Sequence, residues 1–187
     1  MLSVIIPTRN SEHALVPTLA ALVAGATAGL ISEVLIADAG SRDGTAAVAD
    51  VAGCNFLVVE GLLARRLKAA ATAARAPWLL FLLPGTVLDA PWTNEMGRFL
   101  QHGARHAPAA VFRHARQQPG VREVVRWLAA GLGAPPRPEQ GLVIARDFYA
   151  ALGGHSEHSG DPERDLVRRI GRRRIVKLAT QAFGPYN

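Results

Sequence analysis

Cysteine is almost absent from this chain: Cys54 stands alone among 187 residues. One thiol excludes an internal disulfide framework and any cysteine-cluster zinc site. Its place beside an apolar run reads as a buried structural thiol in a reducing cytoplasm. No basic n-region, apolar h-region or small-residue cleavage site precedes the first strand pattern, so export is not expected and a cytoplasmic location is. Aromatic residues are scarce as well, at 6%. None is interleaved with the basic cluster Arg164, Arg168, Arg169, Arg172, Arg173, Arg174 and Lys177, so the platforms on which single-stranded nucleic acid stacks are missing. The cluster then reads as a solvated helix face, or as a contact for a diphosphate or for anionic lipid at a membrane periphery. The charge-free stretch 14–31 is broken by Pro17, Gly25, Gly29 and two threonines. A helix over 11–24 followed by a glycine turn describes it better than a bilayer span, with Ser11 as cap and Glu12 at the positive end of the dipole.

A hydrophobic share of 49% against 19% charged residues, with a formal net charge of +6, lies far from the composition of disordered chains. The length suits one well-buried core, and residues 1–187 are read as one domain. Strand patterns over 2–6, 33–37, 55–59 and 78–83 alternate with helix patterns over 11–24, 43–52 and 62–75. That alternation predicts an α/β fold with a mostly parallel sheet covered on both faces. Beyond it come a helix near 90–101, a strand near 109–112, a helix near 121–132 and a Pro-rich loop at 134–138. A strand near 141–145, helices over 147–152 and 162–170 and a last strand over 175–178 complete the expectation.

Two strand exits stand out. Leu2-Ser3-Val4-Ile5-Ile6 runs into Pro7-Thr8-Arg9-Asn10, and Leu35-Ile36-Ala37 runs into Asp38-Ala39-Gly40-Ser41-Arg42-Asp43-Gly44-Thr45. Both place short polar side chains at the carboxyl edge of a parallel sheet, where open α/β folds bind ligands. Thr8 and Asn10 suit the edge of a base. Asp38 suits a ribose hydroxyl or base imide, or else an Asx turn or helix cap; Gly40 to Thr45 reads as a tight turn into a helix.

This pairing resembles the opening of family 2 glycosyltransferases, in which a Pro-Thr-x-Asn loop is answered by an Asp and Gly-Ser-x-Asp-Gly-Thr. The resemblance continues through 64–82, a helix leading into the apolar strand Trp78-Leu79-Leu80-Phe81-Leu82, and again through Pro138-Glu139-Gln140-Gly141 to Gly154, similar to a bacterial subgroup with Gly-Asp-Gln-Gly before that strand. It implies a GT-A-like three-layer sandwich that binds a nucleotide-diphospho-sugar, a UDP-sugar, and transfers the sugar with inversion to an unknown acceptor. The nucleotide residues it implies are Pro7, Thr8, Arg9, Asn10, Asp38 and Arg65, with Arg9 replacing an aromatic stacking residue and Arg66 read as a solvent-facing charge. Glu163 matches the family's general base and Asp165 the acidic residue after it, although a charged helix start would carry the same residues. His155 and His158 read as exposed loop residues.

The family also implies Mg2+ or Mn2+ held by an Asp-x-Asp or His-Ala-Asp element after the central strand. Here that place reads Leu83-Pro84-Gly85-Thr86, which offers no carboxylate to a hard cation, and Asp89 is the nearest acid, better suited to capping the helix near Pro91. A catalytically degenerate homologue that binds a nucleotide or a partner is therefore the alternative to an enzyme.

Overall fold

The computed structural model describes residues 1–103, 107–114 and 140–184. The helix expected near 121–132 and the Pro-rich loop at 134–138 lie outside the described residues. Four strands of the first half, β1 (Leu2–Thr8), β2 (Ile31–Asp38), β3 (Asn55–Val58) and β4 (Trp78–Phe81), alternate with α1 (Glu12–Thr27), α2 (Thr45–Val51) and α3 (Leu63–Ala73). The second half adds β5 (Val87–Leu88), α4 (Trp92–Gln101), β6 (Ala109–His114) and β7 (Leu142–Ala145). It closes with α5 (Arg146–Ala151), α6 (Pro162–Ile170), a 3-10 turn (Arg172–Arg174) and β8 (Ile175–Phe183).

All eight strands form one sheet in the order β3-β2-β1-β4-β7-β6-β8-β5. The βα crossovers make β3, β2, β1 and β4 parallel, and β6 pairs parallel with β8. The pairs β4–β7, β6–β7 and β5–β8 are antiparallel. Side chains alternate across the pleat, so Leu2, Val4 and Ile6 face a core completed by Leu15 and Leu22 of α1, Ala49 of α2 and Met96 of α4. Ile5 faces a second core with Leu67 and Ala70 of α3, Tyr149 of α5 and Leu166 of α6. This is the expected three-layer sandwich.

Two differences from the sequence expectation concern the far edge. The strand expected over 175–178 runs on to Phe183, and the two-residue β5 pairs with its end. Glu95 holds this strand against α4, since its carboxylate accepts from the backbone N–H groups of Ala179 and Thr180 and from the Thr180 hydroxyl. Asp89 does not cap α4 with its side chain; its carbonyl accepts from Trp92 N–H. Cys54 is half-buried rather than fully so, and burial raises its thiol pKa.

At the amino edge of the parallel strands, Glu33 seals the sheet. It accepts from the Ser3 hydroxyl at 2.6 Å and from the Arg75 backbone N–H at 2.7 Å, and it pairs with the Arg75 side chain at 3.0 Å. The carboxyl edge is left to carry the loops. Trp92 fixes α4 on α1: it is 1% exposed, its indole N–H donates to the Ala21 carbonyl at 3.2 Å, and a Cβ on Gly25 would collide with its ring. Trp92→Ala is expected to lower unfolding free energy by about 3–5 kcal/mol in urea titrations; a loss under about 1 kcal/mol would mean that the α1–α4 contact contributes little.

Candidate nucleotide edge and histidine cleft

The register of β1 on β2 places Thr8 opposite Asp38. Both side chains lie on the α1 side of the sheet, and the Thr8 hydroxyl donates to Asp38 Oδ1 at 2.6 Å. The other donors to Asp38 come from its own loop: Gly40 N–H at 2.7 Å, Ser41 N–H at 2.6 Å and the Ser41 hydroxyl at 2.5 Å. Gly40 has φ +83, a conformation that glycine adopts without a Cβ penalty, and it turns the loop back over the carboxylate. Asp38 is 1% exposed. Burial acts to raise its pKa, yet the hydrogen bonds from Ser41, Thr8 and Gly40 outweigh it and hold the carboxyl below its ordinary value. The Asx-turn role is therefore present, and in this conformation Asp38 shapes the edge from beneath.

The two loops are hydrogen-bonded to each other at several points. Asn10, at φ +48, donates its N–H to the Ser41 hydroxyl and accepts at Oδ1 from Arg42 N–H. Ser11 N–H donates to the Thr45 hydroxyl, and Glu12 accepts from Gly44 N–H. The amino end of α1 is not capped by the Ser11 side chain, which turns to Arg9 instead; Asp43, from the facing loop, accepts from Glu12 N–H at 3.1 Å. Gly44 lets the Glu12 carboxylate approach closely, since a Cβ there would lie 2.6 Å from Glu12 Cδ and displace the end of that side chain.

The α3 side of the same edge is held by Arg66. Its Nη1 donates to the Thr8 carbonyl at 2.9 Å and to the Ala37 carbonyl at 3.2 Å, joining the ends of β1 and β2. The solvent-facing role expected for Arg66 is thus corrected: it is half-buried, while Arg65, one residue earlier on α3, is exposed beside Gly61. Pro7 and Thr8 are buried in β1; Arg9 and Asn10 are exposed at its exit.

A second group of polar residues gathers around the Gly153-Gly154 turn after α5. Both glycines have positive φ, and the chain dives under Tyr149, whose hydroxyl meets His155 Nδ1 at 2.8 Å. His155 was expected on the surface; it is 1% exposed and packs edge-on to Phe81 at 4.9 Å between ring centroids. Burial, and then the Arg169 charge, push its pKa down to about 3, with Asp165 opposing. Asp165 pairs with Arg169 at 2.7 Å and with Arg168 at 2.9 Å. Arg169 in turn donates to the carbonyls of Leu152 and Gly154. Asp161 caps α6 by accepting from Arg164 N–H at 3.0 Å, and Glu163 is half-buried on the first turn. Asp165 and Arg169 line a cleft of about 610 Å3 with Lys68, Gly154, His155 and His158.

Residues 3–83 match the family model described as Glycosyl transferase family 2. The chain has a GT-A-like fold, and the family match covers less than half of it. TarS 1–349 of S. aureus, solved with UDP-GlcNAc, has a TM-score of 0.73 at 16% identity, over 100% of this chain and 58% of that one. Glucosyl-3-phosphoglycerate synthase of Mycobacterium tuberculosis, solved with Mn2+, UDP and glucosyl-3-phosphoglycerate, has a TM-score of 0.74 at 16% identity, over 100% and 72%. The mannosyltransferase PcManGT of Pyrobaculum calidifontis, solved with GDP-Man and Mn2+, has a TM-score of 0.74 at 15% identity, over 100% and 57%. The chain spans less than two thirds of TarS 1–349 and of PcManGT. No curated protein matches its sequence. Among the described residues, no helix is long and apolar enough to cross a membrane.

The segment 83–86 after β4, where the family resemblance implies a metal-holding carboxylate, carries none. Leu83 and Pro84 lead into Gly85, whose N–H is held by the Ala14 carbonyl and the Thr18 hydroxyl at 2.8 Å each. The Thr86 hydroxyl is buried without a partner, and no cluster of His, Cys, Asp or Glu able to hold a metal occurs among the described residues. A hydroxyl and amide carbonyls without a carboxylate are a poor match for Mg2+ or Mn2+.

Thr8→Val is expected to remove about 1–3 kcal/mol of stability, because it withdraws one donor from a buried carboxylate; chemical denaturation at pH 7 measures it, and an unchanged midpoint would contradict the role given to this bond. His155 sets a pH dependence. The folded protein keeps it neutral down to about pH 3, whereas an unfolded chain protonates it near 6.5. The unfolded state then binds more protons between these values, and stability declines as pH falls from about 6.5 toward 3. His155→Gln should flatten that part of the stability profile; a profile parallel to that of the parent would contradict it.

Proposed function

We propose that the chain is the donor-binding and transfer module of a glycosyltransferase. It would take a nucleotide-diphospho-sugar of the UDP type and pass the sugar, with inversion, to an acceptor hydroxyl. The observation that carries this reading is the Thr8–Asp38 hydrogen bond at the carboxyl edge, where two parallel strands end in register and their loops interlock. Ligands of open α/β sheets lie at such an edge. Arg9, Asn10 and Arg65 are exposed there and available to a nucleotide. Pro7, Thr8 and Asp38 give the edge its shape, with Arg66 bracing the strand ends from below.

Glu163 is the proposed general base. Its carboxylate would take the proton of the acceptor hydroxyl as that oxygen attacks the anomeric carbon from the face opposite the diphosphate. The bond from the anomeric carbon to the diphosphate oxygen breaks, and the diphosphate leaves with the electron pair. Asp165 acts as a positioning residue: through Arg169 it fixes the Gly153-Gly154 turn that borders the cleft. The cleft lined by Lys68, His155, His158 and Asp165, with Glu163 on the same helix as Asp165 but outside the lining, is the proposed acceptor space. Divalent metal enters none of these steps.

A second reading, a homologue that binds the nucleotide without transfer, is favoured by Leu83-Pro84-Gly85. Release of nucleotide from UDP-glucose, UDP-GlcNAc and GDP-mannose, followed with and without Mn2+, separates the two. Turnover on any donor, reduced by about 10²- to 10⁴-fold in Glu163→Gln with nucleotide affinity unchanged, supports transfer. Binding with no turnover under any condition supports the second reading, and a fully active Glu163→Gln removes Glu163 as base.

A further inference from the structure

The carboxyl edge gathers positive charge without pairing it. Arg9 leaves β1, Arg42 sits in the β2–α2 loop, and Arg65 and Arg66 open α3; Arg66 is half-buried and the other three are exposed. Among the described residues, every ion pair lies elsewhere, on Arg75, Arg164, Arg168 and Arg169. Three carboxylates at this edge are already engaged by local donors, Asp38 by Thr8, Gly40 and Ser41, Asp43 by Glu12 N–H and Thr45, and Glu12 by Gly44 N–H, while Glu60 is exposed just beyond β3.

Arg66 is fixed in place by geometry. Nη1 is anchored on the Thr8 and Ala37 carbonyls, and Nε is buried with no partner, so the guanidinium is held at the strand ends with its hydrogen-bonding capacity incomplete. Burial lowers its pKa most; the Asp38 charge opposes this and the Arg9 charge adds to it. Arg9 and Arg66 therefore feel each other, two like charges beside Asp38, whose carboxylate is already taken up by Thr8, Gly40 and Ser41. Such a pair is relieved by an anion, and guanidinium forks match phosphate oxygens. The place where a carboxylate would hold a divalent cation is instead the turn Leu83-Pro84-Gly85, tied to α1.

We infer that Arg9 and Arg66 neutralise the diphosphate of the bound nucleotide in place of a divalent cation, so that nucleotide binding by this chain is independent of metal. This rests on the donor-binding reading above. Calorimetric titration of the whole chain with UDP and with GDP, once in EDTA and once in excess Mn2+, tests it. The expected result is a Kd that agrees within about twofold between the two conditions, and an Arg9→Gln variant that binds about tenfold more weakly in EDTA, the loss of a charge-assisted hydrogen bond. Arg9 is exposed, so this variant keeps the fold, which circular dichroism checks; Arg66→Gln should weaken binding as much where it stays folded. Affinity that appears only with Mn2+ would overturn the inference and leave the donor reading standing, as would metal-independent affinity that Arg9→Gln leaves unchanged. No affinity for either nucleotide in either condition would overturn both.

Discussion

The constraint on which this structure depends is a carboxylate buried at the end of a strand. Asp38 follows Leu35, Ile36 and Ala37, each no more than 1% exposed, and parallel pairing carries it directly opposite Thr8. An unpartnered charge in that position would be strongly unfavourable. The chain answers with donors from two directions, the Thr8 hydroxyl across the strand and the Gly40–Ser41 turn along it. Folding the second loop over Asp38 brings Ser41 and Asp43 within reach of Asn10 and Glu12, and the two loops close on each other. The shape of the carboxyl edge, and the positions of Arg9 and Arg66 on it, follow from that closure.

A contrasting solution to burial appears at the other polar centre. Asp38 stays ionised because hydrogen bonds to its charged form outweigh desolvation. His155, as deeply buried, stays neutral chiefly because burial penalises its charged form, with the Arg169 charge adding to this. Whether hydrogen bonds to the charged form outweigh its desolvation decides between the outcomes. The neutral His155 ring packs against Phe81 and Tyr149, while Asp165 holds Arg169 on the Leu152 and Gly154 carbonyls. One wall of the cleft results, built from residues brought together by α5 and α6.

Much of the first half was legible in the sequence because its signals are local. Apolar runs ending in Pro7-Thr8-Arg9-Asn10 and Asp38-Ala39-Gly40 mark strand exits, and parallel pairing then aligns them. What escaped was set by phase or by long-range packing. Arg65 and Arg66 differ by about 100° around α3, so a one-residue uncertainty in helix phase exchanges the exposed arginine for the one beneath the strands. His155 reads as a loop residue until Phe81 and Tyr149, distant in sequence, cover it. The two-residue β5 is too short to leave a periodic signal, and the continuation of β8 to Phe183 depends on its partners β6 and β5. The expected cap by Ser11 failed for a related reason: Asp43, thirty-odd residues away, supplies the acceptor.

A crystal structure of the protein soaked with UDP tests the central claim most directly. The account predicts the nucleotide along the carboxyl edge, its diphosphate oxygens within hydrogen-bonding distance of Arg9 and Arg66 and the Thr8–Asp38 bond intact beneath it. Density for UDP in the cleft beside His155, or across a different face of the sheet with this edge left empty, would contradict it.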